Sequence, residues 1–133
     1  MNKKTKILVV DKNADVIELT KTVLEGNNYE VVTANNTQTA MNIVRYEKPD
    51  LIVLELMLEK YDSGFTFTRT IKADPLYNNI PILMLTDVEE KTGYSFTQEL
   101  DGYWMKTDDY VAKPIEADEL LKRVENLLQK VEK

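Results

Sequence analysis

The sequence predicts an α/β sandwich built on a parallel sheet, on three observations. Apolar runs at 7–10, 51–54 and 82–85 contain no polar residue, as strands buried on both faces require. Segments with helical apolar spacing lie between them. Each run, and a fourth at 110–112, also ends on a residue that can do chemistry: Asp11-Lys12, Glu55, Thr86 and Lys113-Pro114. In an open parallel sheet ligands bind outside the carboxyl ends of the strands, so these residues describe one pocket.

The elements follow in order. Strand 6–10 leads into a helix over 14–26, with Val16, Leu19 and Val23 as its stripe and Ile17 and Leu24 offset from it. Gly26 stands where a helix stop is expected. Residues 29–34 read as a second strand. Ala40, Met41, Ile43, Val44 and Tyr46 mark a helix over 37–47 that must end before Pro49. Strand 51–55 precedes a polar loop, Asp62-Ser63-Gly64, and a helix that begins near Phe65 and stops at Asp74-Pro75. Strands 80–86 and 108–112 come next. Leu120, Val124, Leu127 and Val131 give the last helix its face. Right-handed crossovers place all strand carboxyl ends on one edge.

Composition bounds the function. A chain of 133 residues, 43% hydrophobic and 30% charged, is one globular domain able to bury a core. It has no Cys and no His, which excludes thiol chemistry, thiolate metal sites and any histidine base or phosphohistidine relay. The net charge of -6, with no long basic cluster, argues against direct nucleic-acid binding. No stretch is apolar enough for a membrane span or a signal peptide, and a cytoplasmic location is the expectation. No glycine-rich phosphate loop is present, so a nucleotide cofactor lacks support. Nor do Ser63 and Ser95 have a histidine for nucleophilic catalysis. Residues 87–107 carry Tyr94, Phe96, Tyr103 and Trp104 without a clean stripe. They read either as an ordered excursion packed on the sheet edge or as a partner surface.

Four motifs, in order, carry a family resemblance. Ile7-Leu8-Val9-Val10-Asp11, Lys48-Pro49-Asp50-Leu51-Ile52-Val53-Leu54-Glu55, Pro81-Ile82-Leu83-Met84-Leu85-Thr86 and Asp108-Asp109-Tyr110-Val111-Ala112-Lys113-Pro114 resemble the response-regulator receiver domain, the phospho-accepting module of two-component signalling. The resemblance covers essentially the whole chain. It implies a flavodoxin-like (βα)5 fold of strand order 2-1-3-4-5, a receiver without enzymatic function of its own, and a sensor histidine kinase or downstream signalling protein as partner. By position, Asp11 matches the first acid of a metal-holding pair and Glu55 the phospho-acceptor. Met57 matches the residue whose carbonyl completes the Mg²⁺ shell, Thr86 and Lys113 the phosphoryl contacts, and Tyr110 the switch aromatic. The face formed by residues 87–110 and the last helix is where the family's signal leaves.

Three positions depart from the pattern: Lys12 replaces the second acid, Glu55 the acceptor aspartate, and Asp87 a small residue beside the phosphodonor path. Phosphoryl transfer depends on positioning and charge neutralisation. If Lys12 points inward, Lys12 and Lys113 neutralise Asp11 and Glu55, and Mg²⁺ binding is weakened or lost. The extra methylene of Glu55 moves its carboxylate by roughly 1.5 Å, about one bond length, and a displacement of about 1 Å can cost on the order of 100-fold in rate. Asp87, if it faces the mouth, repels phosphate. Glu55 either imitates a phosphorylated state, near Thr86 and Lys113, or pairs with Lys12 as a structural ion pair. The expectation is a single-domain pseudo-receiver without a fused output domain, signalling by protein contact. The alternative is a Mg²⁺-dependent receiver accepting phosphate on Glu55 or another carboxylate. Dimerisation is left open.

Overall fold

The computed structural model describes residues 4–60, 63–86 and 108–132. Through them run β1 (Lys6–Val10), α1 (Ala14–Glu25), β2 (Glu30–Ala34), α2 (Thr37–Glu47), β3 (Leu51–Leu54), α3 (Ser63–Ala73), β4 (Ile82–Thr86), β5 (Asp109–Ala112) and α4 (Ala117–Glu132). All strands pair in parallel in the order β2-β1-β3-β4-β5, the flavodoxin-like order. Val10 lies level with Ala34 and Leu54, and Thr86 with Ala112. Strand ends are therefore aligned along one edge, and the order reverses at β1, which sits between β2 and β3. That reversal is where α/β sheets hold their ligands.

Period-two alternation divides the core into two layers. Leu8, Val10, Ile52, Leu54, Ile82 and Met84 face one side, with Ala40 and Val44 of α2 and Phe67 and Ile71 of α3. Ile7, Val9, Leu51, Val53, Leu83 and Leu85 face the other, with Leu24 of α1 and Leu120, Val124 and Leu127 of α4. Each fully buried Leu, Ile or Val contributes about 1.5–3 kcal/mol by leaving water. The unbroken apolar runs thus become strands because both sheet faces are covered.

Several local expectations change. Gly26 caps α1 with φ -64, an ordinary right-handed conformation, and Asn28 takes the left-handed turn instead (φ 71). The buried line of α1 is Thr20 and Leu24, leaving Leu19 67% exposed. Tyr46, read as part of the α2 stripe, is 85% exposed; Ala40 and Val44 carry the burial. Helix α3 starts at Ser63, ahead of Phe65. Helix α2 ends where Lys48 turns left-handed (φ 48) before Pro49, as that proline requires. The excursion 87–107, where the fifth helix of a (βα)5 fold belongs, lies outside the described residues.

Candidate functional site

Because β1 and β3 are neighbours, Asp11 and Glu55 leave the sheet side by side. The Asp11 N–H donates to the Ala34 carbonyl (3.1 Å) and the Glu55 N–H to the Val10 carbonyl (2.9 Å), so the sheet ladder orients both. Their side chains are only 5% and 2% exposed. Lys113, at the end of β5, reaches across to them. Its Nζ donates to Asp11 Oδ2 at 2.7 Å and to Glu55 Oε1 at 2.9 Å. The other carboxylate oxygens are also engaged: Asp11 Oδ1 by the Asn13 N–H (2.9 Å) and Glu55 Oε2 by the Met57 N–H (3.1 Å). Every oxygen of the pair therefore accepts a hydrogen bond from this chain.

The electrostatics follow from that geometry. Burial favours the neutral form of Lys113, but the hydrogen bonds and charges of Asp11 and Glu55 outweigh it and raise its pKa above the ordinary 10.5. One ammonium shared by two carboxylates leaves one negative charge over. Lys12 does not supply the balance. Its side chain is exposed and makes no ion pair among the described residues; of the two arrangements expected for Glu55, the pair with Lys12 is not formed and the contact with Lys113 is. The physical reason is cost: Lys12 sits at the start of the β1–α1 loop with free access to water, and burying a second ammonium would demand desolvation that exposure avoids.

Mg²⁺ demands several oxygen ligands in near-octahedral arrangement. The described residues contain no cluster of three carboxylates, and the two at hand are already bridged by Lys113. Lys113 takes one oxygen of each, Asp11 Oδ2 and Glu55 Oε1, and already supplies part of the neutralisation a cation would bring. As they stand, the residues do not fit the ion.

The loop after β3 holds Met57 in place. Met57 and Leu58 are buried against the α2–α3 layer. The Gly64 N–H donates to the Leu56 carbonyl at 2.7 Å. A Cβ on Gly64 would stand 2.6 Å from Leu56 Cα and 2.7 Å from the Glu55 carbonyl oxygen, so only glycine allows this approach. The Lys60 N–H donates to Ser63 Oγ (2.8 Å). Further along the loop, Glu59 accepts from the Thr37 N–H (3.0 Å) and from the Thr37 hydroxyl, at the first turn of α2. Burial alone would raise the Glu59 pKa; the Thr37 hydrogen bonds and its own backbone N–H outweigh this and hold it below the usual carboxylate value.

Lys113 is positioned from the other side by α4. Arg123 Nη1 donates to both Asp109 oxygens (2.9 and 3.0 Å) and its Nε to Glu119 (2.9 Å), fastening the edge strand β5 to that helix. The Lys113–Pro114 peptide bond is cis.

The structure thus brings together Asp11, Glu55, Lys113 and the backbone of Met57, and leaves Lys12 apart. Tyr110 lies partly buried against the α2–α3 core layer. Thr86 ends β4 beside Ala112, but its hydroxyl lies outside the described side chains, as does Asp87. Sequence reasoning missed Asn13, Glu59 and the close approach at Gly64. For the glycine a signal was visible: a small residue after Asp62-Ser63, directly before a helix.

A family model of the response regulator receiver domain matches residues 7–125. Among curated relatives, the alkaline phosphatase synthesis transcriptional regulatory protein PhoP of Bacillus subtilis is 39% identical over 132 residues, covering 99% of this chain and 51% of its own length. The phosphate regulon transcriptional regulatory protein PhoB of Pseudomonas aeruginosa is 37% identical over 124 residues, covering 93% and 52%. The chain therefore spans about half the length of the curated relatives it matches. Among solved structures, a chain from Chloroflexus aurantiacus described as a candidate response regulator superposes with a TM-score of 0.83 at 33% identity, covering 96% of this chain and 99% of that one. No helix among the described residues is long and apolar enough to cross a membrane.

Proposed function

The chain belongs to the response-regulator receiver domain family of two-component signalling, and from that premise we propose that it is a pseudo-receiver, passing its signal by protein–protein contact without ordinary aspartyl phosphorylation. One observation carries the proposal: among the described residues only two carboxylates, Asp11 and Glu55, meet the Lys113 ammonium, at 2.7 and 2.9 Å, and an exposed Lys12 stands where a third acid belongs. A phosphoryl group would have to enter where both carboxylates and their hydrogen-bond donors are already satisfied. Receiver domains generally use Mg²⁺ to neutralise the transferring oxygens; this pocket has a lysine between its acids and Lys12 in place of another acid. Glu55 also carries its carboxylate past the position of an aspartate acceptor, being longer by one methylene.

The partners are a sensor histidine kinase or a downstream signalling protein, met in the cytoplasm. PhoB and PhoP are transcriptional regulators about twice as long as this chain. An output through DNA would require residues beyond a receiver, since a chain of net charge -6 has no long basic cluster.

The alternative is a Mg²⁺-dependent receiver that accepts phosphate on Glu55. It draws on the convergence of Asp11, Glu55 and the Met57 backbone at one strand edge. Calorimetric titration with Mg²⁺ at neutral pH separates the two. The pseudo-receiver shows no saturable heat at millimolar Mg²⁺, and the Lys12→Asp, Glu55→Asp double variant acquires it. Saturable binding by the unmodified chain overturns the proposal.

A further inference from the structure

We propose that Glu59 is a positioning residue for the pocket, although it touches neither Lys113 nor the two carboxylates. The inference deepens the reading above, since it concerns how the same Glu55 carboxylate is held.

The contacts around the strand edge close into a ring. Lys113 joins Asp11 to Glu55. The Asp11 N–H is bound to the Ala34 carbonyl at the end of β2. Three residues on, Thr37 begins α2 and donates twice to Glu59. Four residues back along the loop from Glu59 is Glu55 itself, whose Oε2 accepts from the Met57 N–H. Remove any member and the ring opens.

Within residues 56–60 the chain is held by side-chain burial and by directional hydrogen bonds. Met57 and Leu58 bury their side chains from below, only 8% and 6% exposed. Side-chain burial is non-directional and fixes depth better than orientation. The orientation of the Met57 N–H toward Glu55 Oε2 needs directional ties, and two lead out of the loop: the Gly64 N–H to the Leu56 carbonyl, on the same peptide unit, and Glu59 to Thr37. A charged acceptor with two donors is a strong version of such a bond. Glu59 and Thr37 also stand on the rim of a cleft of about 600 Å³ between α2 and α3, where the loop would otherwise have room to move. In a metal-loaded receiver a cation could fix this loop through the Met57 carbonyl; here the clasp does so from outside.

Residue-resolved amide hydrogen exchange tests this on the full chain at neutral pH, with neither Mg²⁺ nor a phosphodonor. Glu59 is exposed, so Glu59→Ala leaves the core intact. Its expected effect is exchange about fivefold faster at the Met57 amide, the size set by one surface charge-assisted bond, with Leu8 and Val53 unchanged. Glu59→Gln keeps an oxygen for the Thr37 N–H and should return most of the protection. Faster exchange at Thr37 with Met57 unchanged would mean that Glu59 merely caps α2, and overturns the inference. A uniform rise through β1 and β3 counts against it too, as global destabilisation. Mg²⁺ binding in the calorimetric experiment overturns the pseudo-receiver reading without moving these rates, so the two failures are distinct.

Discussion

Replacing Lys113 with methionine removes the cation that Asp11 and Glu55 share while keeping most of the side chain's volume. The three side chains are 13%, 5% and 2% exposed, so water cannot freely take over the solvation of the carboxylates left behind. Removing one partner of a buried ion pair costs about 3–5 kcal/mol, because a charge stays buried without compensation. An unfolding entropy of about 2.1 cal/mol/K per residue over 133 residues makes each kcal/mol worth about 4 °C. The expected fall in Tm is therefore about 11–18 °C, readable by circular dichroism, with a matching drop in urea midpoint at constant m-value. Domains of this kind hold about 5–15 kcal/mol in total. Should Lys113→Met fail to fold, adding Asp11→Asn and Glu55→Gln removes the stranded charges and should recover at least half of the loss. A fall of under about 4 °C, or no recovery in the triple variant, would refute the reasoning that the pocket is held by its shared ammonium.

Three further outcomes follow from the same geometry. The raised pKa of Lys113 stabilises the fold fully below its unfolded value of 10.5 and is lost as pH climbs through the higher folded value. Thermal melts across alkaline pH should thus show a decline that largely disappears from the Lys113→Met curve; parallel curves would contradict it. Gly64→Ala places a methyl 2.6 Å from Leu56 Cα, which should cost about 2–3 kcal/mol in urea unfolding as overpacking against backbone; a neutral result would mean the loop yields freely. Thr68 is fully buried and its Oγ1 has no hydrogen-bond partner among the described residues, so Thr68→Val should be neutral or stabilising by about 1 kcal/mol, and a clear destabilisation would reveal a partner.

The fold was legible because its signals are local. Unbroken apolar runs such as Leu51–Leu54 can be satisfied only by a strand covered on both faces, and Pro49 must interrupt a helix. The strand-end rule then places Asp11, Glu55 and Lys113 on one edge. Side-chain direction was not legible. Lys12 is one residue from Asp11, yet whether it turns inward depends on a desolvation balance that no spacing encodes. The stripe of α1 was misjudged for a related reason: Thr20 is buried while Leu19 is exposed, because helix rotation is set by neighbours rather than by hydropathy alone. Glu59 was invisible since its partner, Thr37, lies across the fold and the pair forms no local motif.

The most direct test of the pseudo-receiver is an intact mass measured after incubation with acetyl phosphate and Mg²⁺ at neutral pH. Lys12 in place of an acid and Glu55 in place of the shorter acceptor predict an unchanged mass, and predict that the Lys12→Asp, Glu55→Asp variant gains one phosphoryl group labile to hydroxylamine. A hydroxylamine-labile phosphoryl group on the unmodified chain would contradict the account and return an upstream kinase to it.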